Sequence, residues 1–257
     1  MIFQLDAAGG PMTEAAVDFT DDAFAFSRSG QDWELMLMES GTLRLNAMPG
    51  LVDIFLVADG ANGGTGRQVG AYYYSGKGGD GGRYLAASGV RLQRGTAYAV
   101  TIGAVSGIAG GDVTLATDGE ASQAGAAGGR AAYVGPNDPN TANEAGGPGI
   151  YAYGEEQDTL LIESMRGKRF CAGGGGGDCS VSGTHSSAHG GVNEGGATDG
   201  GDGGSSSSGG VSAAGAGGEN TGSGGGGGYS HSTYGVAAGA AGGSGVVFIR
   251  KHRETAG

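Results

Sequence analysis

The sequence is short of the residues that build an ordinary core and surface. Charged residues make up 16% of the 257 residues and aromatic residues 7%, with five prolines, two cysteines and one tryptophan. Glycine takes their place with 62 residues, so the combined share of Gly and Pro lies in the range typical of low-complexity chains. Collagen is excluded, because its helix needs glycine at every third position and proline-rich positions between.

Basic residues are also scarce. Fourteen Lys and Arg stand against 26 Asp and Glu, which gives a formal net charge of −12 and a pI near 4.6. No basic stripe is available to bind nucleic-acid phosphates or anionic lipid. The composition therefore predicts neither a nucleic-acid partner nor a membrane partner.

A targeting signal is not visible either. The first 25 residues contain no Lys or Arg, and no apolar run is long enough for a signal peptide or a membrane span. We therefore expect a protein that is made in a cytoplasm without a signal peptide.

The two cysteines do not form a metal motif. Cys171 and Cys179 bracket seven residues, whereas a structural zinc site needs four ligands. Two interpretations stay open: two reduced thiols, or a local disulfide. His185 and His189 have the i, i+4 spacing of helical metal ligands, but nearby glycines disfavour a helix. We predict solvated loop histidines, no metal and no other cofactor.

Enzyme motifs are missing as well. Patterns of the form G-x-G-x-x-G are expected by chance at this glycine content, and no Gly-Lys-Ser/Thr phosphate loop exists. The acidic residues Glu155, Glu156 and Asp158 precede an apolar run and are typical of a polar turn. We predict no catalytic residue and no enzyme activity.

Short apolar segments separated by turn residues predict strands. They lie at 33–38, 41–45, 51–57, 83–86, 96–103, 112–116 and 246–250, and the stretch Glu155–Arg166 is the best candidate for a helix. This spacing favours a mainly β protein with an antiparallel, jelly-roll-like β-sandwich. We expect a single domain, 1–257, with N-terminal strands in 1–58, glycine-rich inserts at 60–82, 125–149 and 173–245, and a closing strand at 246–250.

The long insert holds 30 glycines in its 73 residues. Such a chain is normally a flexible coil, yet this one returns to an apolar strand. Calcium-binding β-rolls need a repeated nonapeptide, and 199–204 is a single approximation to it. The remaining architecture is a bundle of polyglycine II-type helices, whose sideways N–H and C=O groups pair when side chains are absent. The periodicity is too irregular to assign inner and outer faces.

Tyrosine is concentrated in or beside these inserts. Tyrosine combines a rigid apolar face with a hydroxyl and is favoured in binding loops rich in Ser, Gly and Asn. Alternatively, the rings cover the edges of the glycine bundle. The candidate receptor-binding residues are Tyr72, Tyr73, Tyr74, Tyr151, Tyr153, Tyr229, His231 and Tyr234.

The strand sequences between Trp33 and Arg250 resemble the glycine-rich proteins of bacteriophages and prophages of gut Firmicutes. The resemblance lies in SGTL at 40–43, VDIFLV at 52–57, GTAYAVTIGA at 95–104 and GGSGVVFIR at 242–250. In its relatives polyglycine follows the FLV strand, and here the segment 58–64 is a degenerate version. The long insert more loosely resembles the polyglycine sandwich of T-even-like phage tail adhesins and the glycine-rich domain of a vertebrate receptor kinase ectodomain.

This resemblance implies a virion surface protein at a phage tail tip or fibre that attaches to a host-cell receptor. The implied partners are other virion proteins, a bacterial surface receptor (a glycan or an outer protein) and further copies of the chain, a trimer being one form. The implied location is the virion. The alternative is a non-adhesive structural virion protein, such as a head fibre, a decoration protein or a tail scaffold.

Overall fold

A computed structural model describes residues 12–20, 23–135, 138–141, 143–180, 199–207 and 210–253. These ranges hold nineteen β-strands and three single-turn 3-10 helices, and no α-helix. The expectation of a mainly β protein is thus confirmed. In the described ranges we find no helix with the length and hydropathy required to cross a bilayer.

Two antiparallel five-stranded sheets form a β-sandwich, as predicted. The first has the order β1–β4–β9–β10–β11 and the second β2–β3–β19–β5–β8. Alternate side chains such as Leu35, Leu43, Ile54 and Val100 are buried between them. The strands are β1 Val17–Phe19, β2 Phe24–Ser29, β3 Asp32–Leu37, β4 Gly41–Leu45, β5 Leu51–Val57, β8 Tyr84–Arg91, β9 Tyr98–Thr101, β10 Gly107–Gly110, β11 Val113–Ala116 and β19 Val246–Lys251.

The outer face of the second sheet carries another apolar cluster. Phe170 meets Phe55 and Phe248 edge-on, with ring centroids 5.5 Å apart in each pair. The segment Glu155–Arg166 covers this face and is not the expected helix, since its one helical turn is the 3-10 turn Glu163–Met165. Three side chains, before and within this turn, are buried in the apolar cluster and hold the segment against the sheet. They are Leu160, Ile162 and Met165.

Between the sandwich and the far end of the molecule, extended glycine-rich segments run side by side; we call them the lattice. Their hydrogen bonds recur every three residues instead of forming ladders. The N–H groups of Gly60, Gly63 and Gly66 donate to one neighbour, while those of Ala61 and Gly64 donate to another. This is the geometry of polyglycine II, as predicted. The segments are 58–66, 75–82, 125–130, 143–149, 172–178, 199–204, 213–218, 221–229 and 237–245.

The segment 221–229 lies in the middle of the lattice. Hydrogen bonds join it to six other segments, which surround its run of five glycines. A Cβ atom built on any glycine of 224–228 would stand 1.8 to 2.2 Å from a neighbouring carbonyl oxygen. The run of five glycines is therefore a packing requirement. The six neighbours are 58–66, 75–82, 172–178, 199–204, 213–218 and 237–245.

Two of the outer segments show one exposed residue in every three. In 75–82 and the residue after it, Lys77, Asp80 and Arg83 are exposed, and the residues between them face the lattice. In the last segment, 237–245, every third residue is again exposed. These two segments thus have a distinct inner and outer face, whereas 143–149, with Glu144, Ala145 and Pro148 exposed, departs from this period. The exposed residues of the last segment are Ala238, Ala241 and Ser244.

The chain reverses direction at the end of the lattice remote from the sandwich. We call the described strands at these reversals the tip. They form three small sheets with the orders β13–β12–β7–β6, β14–β17–β18 and β15–β16. The tip strands are β6 Arg67–Val69, β7 Tyr72–Tyr74, β12 Tyr133–Gly135, β13 Asp138–Thr141, β14 Cys179–Ser180, β15 Ser205–Ser207, β16 Gly210–Ser212, β17 Ser230–His231 and β18 Gly235–Val236.

The two cysteines stand at opposite ends of one lattice segment. Neither forms a disulfide and both are buried, with Cys171 beside the sandwich and Cys179 at the tip. An extended threefold helix rises about 3.1 Å per residue, so their Cα atoms lie about 25 Å apart, far beyond the ~7 Å limit of a disulfide. The structure thus excludes the local disulfide. The pair His185 and His189 lies outside the described residues.

Candidate functional site

The tip carries most of the exposed apolar surface. Eight large hydrophobic side chains are exposed in the described part of the chain, and five of them are on the tip hairpins. Clustered apolar groups on a polar protein indicate an interaction surface. The five are Val69, Tyr72, Val211, Tyr234 and Val236.

Formal charge is nearly absent from the same surface. Across residues 67–74, 133–135, 138–141, 205–207, 210–212 and 230–236, Arg67 and Asp138 are the only residues charged at pH 7 with histidine neutral. The two charges cancel, whereas the whole chain carries −12. An uncharged and partly apolar surface loses little hydration free energy when it is covered by a partner of the same kind.

Three tyrosines form a row on one face of the β6–β7–β12 sheet. Tyr133 pairs with Tyr74 across strands, and side chains alternate, which places Tyr72, Tyr74 and Tyr133 on the same side. The ring of Tyr133 lies 6.2 Å from that of Tyr72 and 5.2 Å from that of Tyr74. The Arg67 guanidinium sits 4.7 Å from the Tyr74 ring and closes the row. Tyr73 points to the opposite face, where the Gln68 amide donates to its hydroxyl over 3.1 Å.

A second hairpin, β17–β18, lies beside this row. The buried His231 ring contacts the exposed Tyr234 ring at 4.8 Å. His231 Nδ1 accepts the backbone N–H of Thr233 at 2.9 Å, so the neutral imidazole carries its proton on Nε2. The Ser230 hydroxyl donates to the Arg67 carbonyl at 3.1 Å and ties the two hairpins together. Rings and hairpins are therefore held in a fixed arrangement.

The structure brings six of the eight predicted residues to the tip and leaves two elsewhere. Tyr72, Tyr73, Tyr74, His231 and Tyr234 lie on tip hairpins, and Tyr229 is the last residue of the central lattice segment. Sequence reasoning missed four tip residues. Each of these residues lies in a short stretch between two glycine-rich segments, and that position was the signal that could have identified them. The sequence reasoning did not treat these stretches as parts of one surface. The missed residues are Val69, Tyr133, Val211 and Val236.

Tyr151 and Tyr153 lie at the other end of the lattice, against the sandwich. Tyr151 is buried under the Arg169 guanidinium at 4.4 Å, and Tyr153 lies under that of Arg250 at 3.8 Å. The Tyr153 hydroxyl donates to Glu34 at 3.3 Å. Burial, with the Glu34 carboxylate beside it, raises the Tyr153 pKa well above its usual value. These two rings fix the segment that follows the second insert, 125–149, to the sheet.

Residues 39–252 match the family described as glycine-rich domain. The chain belongs to this family. The match covers all nine lattice segments, the tip and the strands of the sandwich from β4 onward, so the family includes sandwich strands as well as the lattice. Neither the curated proteins nor the solved structures gave a match to the sequence.

The glycine-rich domain also has a polar cleft of about 320 Å³ over β8 and β19. There the Ser88 hydroxyl donates to the Asp53 carboxylate at 2.6 Å, and Nδ1 of His252 lies 2.6 Å from the same carboxylate oxygen. In a serine hydrolase the histidine bridges serine and aspartate through different ring nitrogens. Here Nδ1 of His252 faces both Asp53 and Ser88, the latter at 3.2 Å. The arrangement therefore does not activate Ser88 as a nucleophile.

The same cleft contains a row of buried charges across the second sheet. Arg250 stands between Glu34 and Asp53 on neighbouring strands and also pairs with Glu155. Burial raises the pKa of Asp53, but hydrogen bonds from Ser88, His252 and Gly89 and the charge of Arg250 outweigh it and bring this pKa to about 2. For Glu34 burial prevails over two backbone hydrogen bonds and raises the pKa. These groups join the segment around Glu155 to the sheet.

Proposed function

We propose that the tip is a recognition surface for an uncharged receptor on a bacterial cell, displayed by a phage tail tip or fibre. The observation that carries the proposal is the concentration of exposed apolar side chains at the tip, where formal charge nearly vanishes. Binding surfaces combine a few aromatic anchors with adaptable Ser, Gly and Asn contacts. The phage setting comes from the resemblance of the strand sequences.

The lattice supports this proposal as a rigid mount. Its segments are bonded to one another through backbone groups, so each tip hairpin starts and ends at a fixed position. Little conformational entropy is then lost when the tip binds. In this proposal other virion proteins hold the opposite end, and further copies of the chain complete the assembly.

The test measures binding of labelled protein to a panel of gut Firmicutes cells. Replacing Tyr72 and Tyr234 by serine should lower binding by at least about tenfold, because exposed aromatic anchors dominate such interfaces. Both side chains are 41% exposed, so the fold should stay intact. Binding should also depend weakly on salt, since the tip carries no net charge.

The matched control exchanges two exposed apolar residues at the other end of the molecule, Met48→Ser with Leu51→Ser. This control should bind cells like the wild type. Wild-type protein that binds no cell of the panel, or a tip variant that binds normally, would favour the alternative of a non-adhesive structural virion protein.

A further inference from the structure

A second exposed apolar surface lies at the opposite pole of the molecule. We call it the base: residues 28–31, 48–51, 91–94 and 251. Leu51 begins β5, Arg91 ends β8 and Lys251 ends β19, and in each strand the other end joins the lattice. The base is therefore the end of the sandwich remote from the lattice and the tip.

Two clefts meet at the base on either side of Met48. One, of about 330 Å³, is lined by Trp33, Met48 and Pro49, among others. The other, of about 510 Å³, is lined by Leu51 and Leu92 as well as Met48. Met48 is 55% exposed and Leu51 41%, so the ridge between the clefts is itself apolar.

The charge at these clefts opposes that of the chain. Arg28 and Lys251 line the first cleft, Arg91 and Arg94 line the second, and none of the described residues that line either cleft is acidic. Within the described residues none of these four cations pairs with a carboxylate, although acidic residues outnumber basic ones across the sequence. By contrast, Lys77, Arg130 and Arg250 are all in ion pairs.

We infer that the base docks an acidic, apolar segment of a partner protein. Leucine or phenylalanine side chains of such a segment would fill the two clefts, and its carboxylates would meet the unpaired guanidinium and ammonium groups. A second copy docked base to base would bring like charges together, which is unfavourable. This inference is independent of what the tip binds.

The probe is a synthetic peptide in which Leu and Phe alternate with Glu, compared with the same peptide carrying Lys in place of Glu. The single tryptophan, Trp33, lines one cleft, and its fluorescence reports occupancy directly. The acidic peptide should shift this emission and bind at least about tenfold more tightly than the basic peptide. Its affinity should fall as salt is raised.

Two variants separate the apolar and the charged contributions. One is Met48→Ser with Leu51→Ser and the other is Arg91→Gln with Arg94→Gln. Each should lower the affinity for the acidic peptide by about tenfold. Val69→Ser with Val236→Ser at the tip should leave it unchanged. Equal binding of both peptides, no binding, or unaltered affinity in the arginine variant would overturn the inference. A concentration-dependent dimer that Met48→Ser with Leu51→Ser dissociates would overturn it in favour of self-association.

Discussion

Replacing Gly226 by alanine adds one methyl group at the centre of the lattice. The new Cβ would stand 1.8 Å from the Asp202 carbonyl oxygen and 2.5 Å from its carbonyl carbon. Carbon-to-oxygen contacts between adjacent backbones lie at about 3.3–3.6 Å, so the two segments must separate by about 1.5 Å. Neither is free to move, because each is hydrogen-bonded on other sides as well.

The expected loss of stability follows from the hydrogen bonds through Gly226. Its N–H donates to Gly215 and its carbonyl accepts from Ala240, both at 2.9 Å. Breaking these bonds in a buried place costs about 1–3 kcal/mol each. The lower entropy of the unfolded alanine chain offsets about 0.4–1 kcal/mol. We therefore expect a net decrease of about 1–5.6 kcal/mol in the free energy of unfolding.

Gly64→Ala is the matched control. Gly64 lies in the same lattice, but its Cβ would meet its nearest neighbour, the Lys77 nitrogen, at 3.2 Å. Small shifts relieve such a contact, and we expect a change within about 1 kcal/mol. Urea unfolding gives both values, and amide exchange across 215–228 reports whether the central bonds persist. Equal stability of the two variants would refute the packing argument.

Two further predictions concern buried ionisable groups. The Asp53 pKa is depressed to about 2 from 3.8, so this carboxylate contributes on the order of 2 kcal/mol to stability above pH 3.8 and loses it as pH falls through about 2. Asp53→Asn should therefore reduce the dependence of the urea midpoint on pH between pH 5 and 2. An unchanged pH dependence in this variant would contradict the prediction. Burial raises the pKa of the Cys171 thiol, and burial with the Asp178 charge raises that of Cys179 to about 12. Neither thiol should therefore react with a thiol reagent at pH 8 until denaturant is added. Fast labelling of either cysteine in the native protein would show that it is accessible.

The sandwich was predictable because its signals are local. The segments 51–57 and 246–250 are apolar, bounded by turn residues, and pair with each other in the structure. The helix over Glu155–Arg166 was wrong because tertiary contacts decided that segment. The Glu34 carboxylate, more than a hundred residues away, accepts the N–H groups of Leu161 and Ile162. No short-range pattern contains that information.

The candidate site was predictable in composition and not in arrangement. The tyrosine pattern picked out Tyr72 and Tyr234, but it could not show that Tyr153 lies at the other end of the lattice. That distinction depends on which insert residues are chain reversals. A period of three in exposed residues, as at Lys77, Asp80 and Arg83, occurs in lattice segments and not in the tip hairpin 67–74. The period therefore contains the information that composition lacked.

The lattice also explains how one chain can carry two unlike surfaces. Its central positions, such as 224–228, accept glycine alone, because a Cβ there would collide with backbone atoms and not with adaptable side chains. The tip hairpins face no such limit, since each is joined to the lattice only through the ends of two segments that are already fixed. The base is separated from the tip by the whole sandwich and lattice. Substitutions at Val69 or Tyr72 and substitutions at Met48 or Leu51 should therefore act on stability and binding independently, as expected of sites that share no contacts.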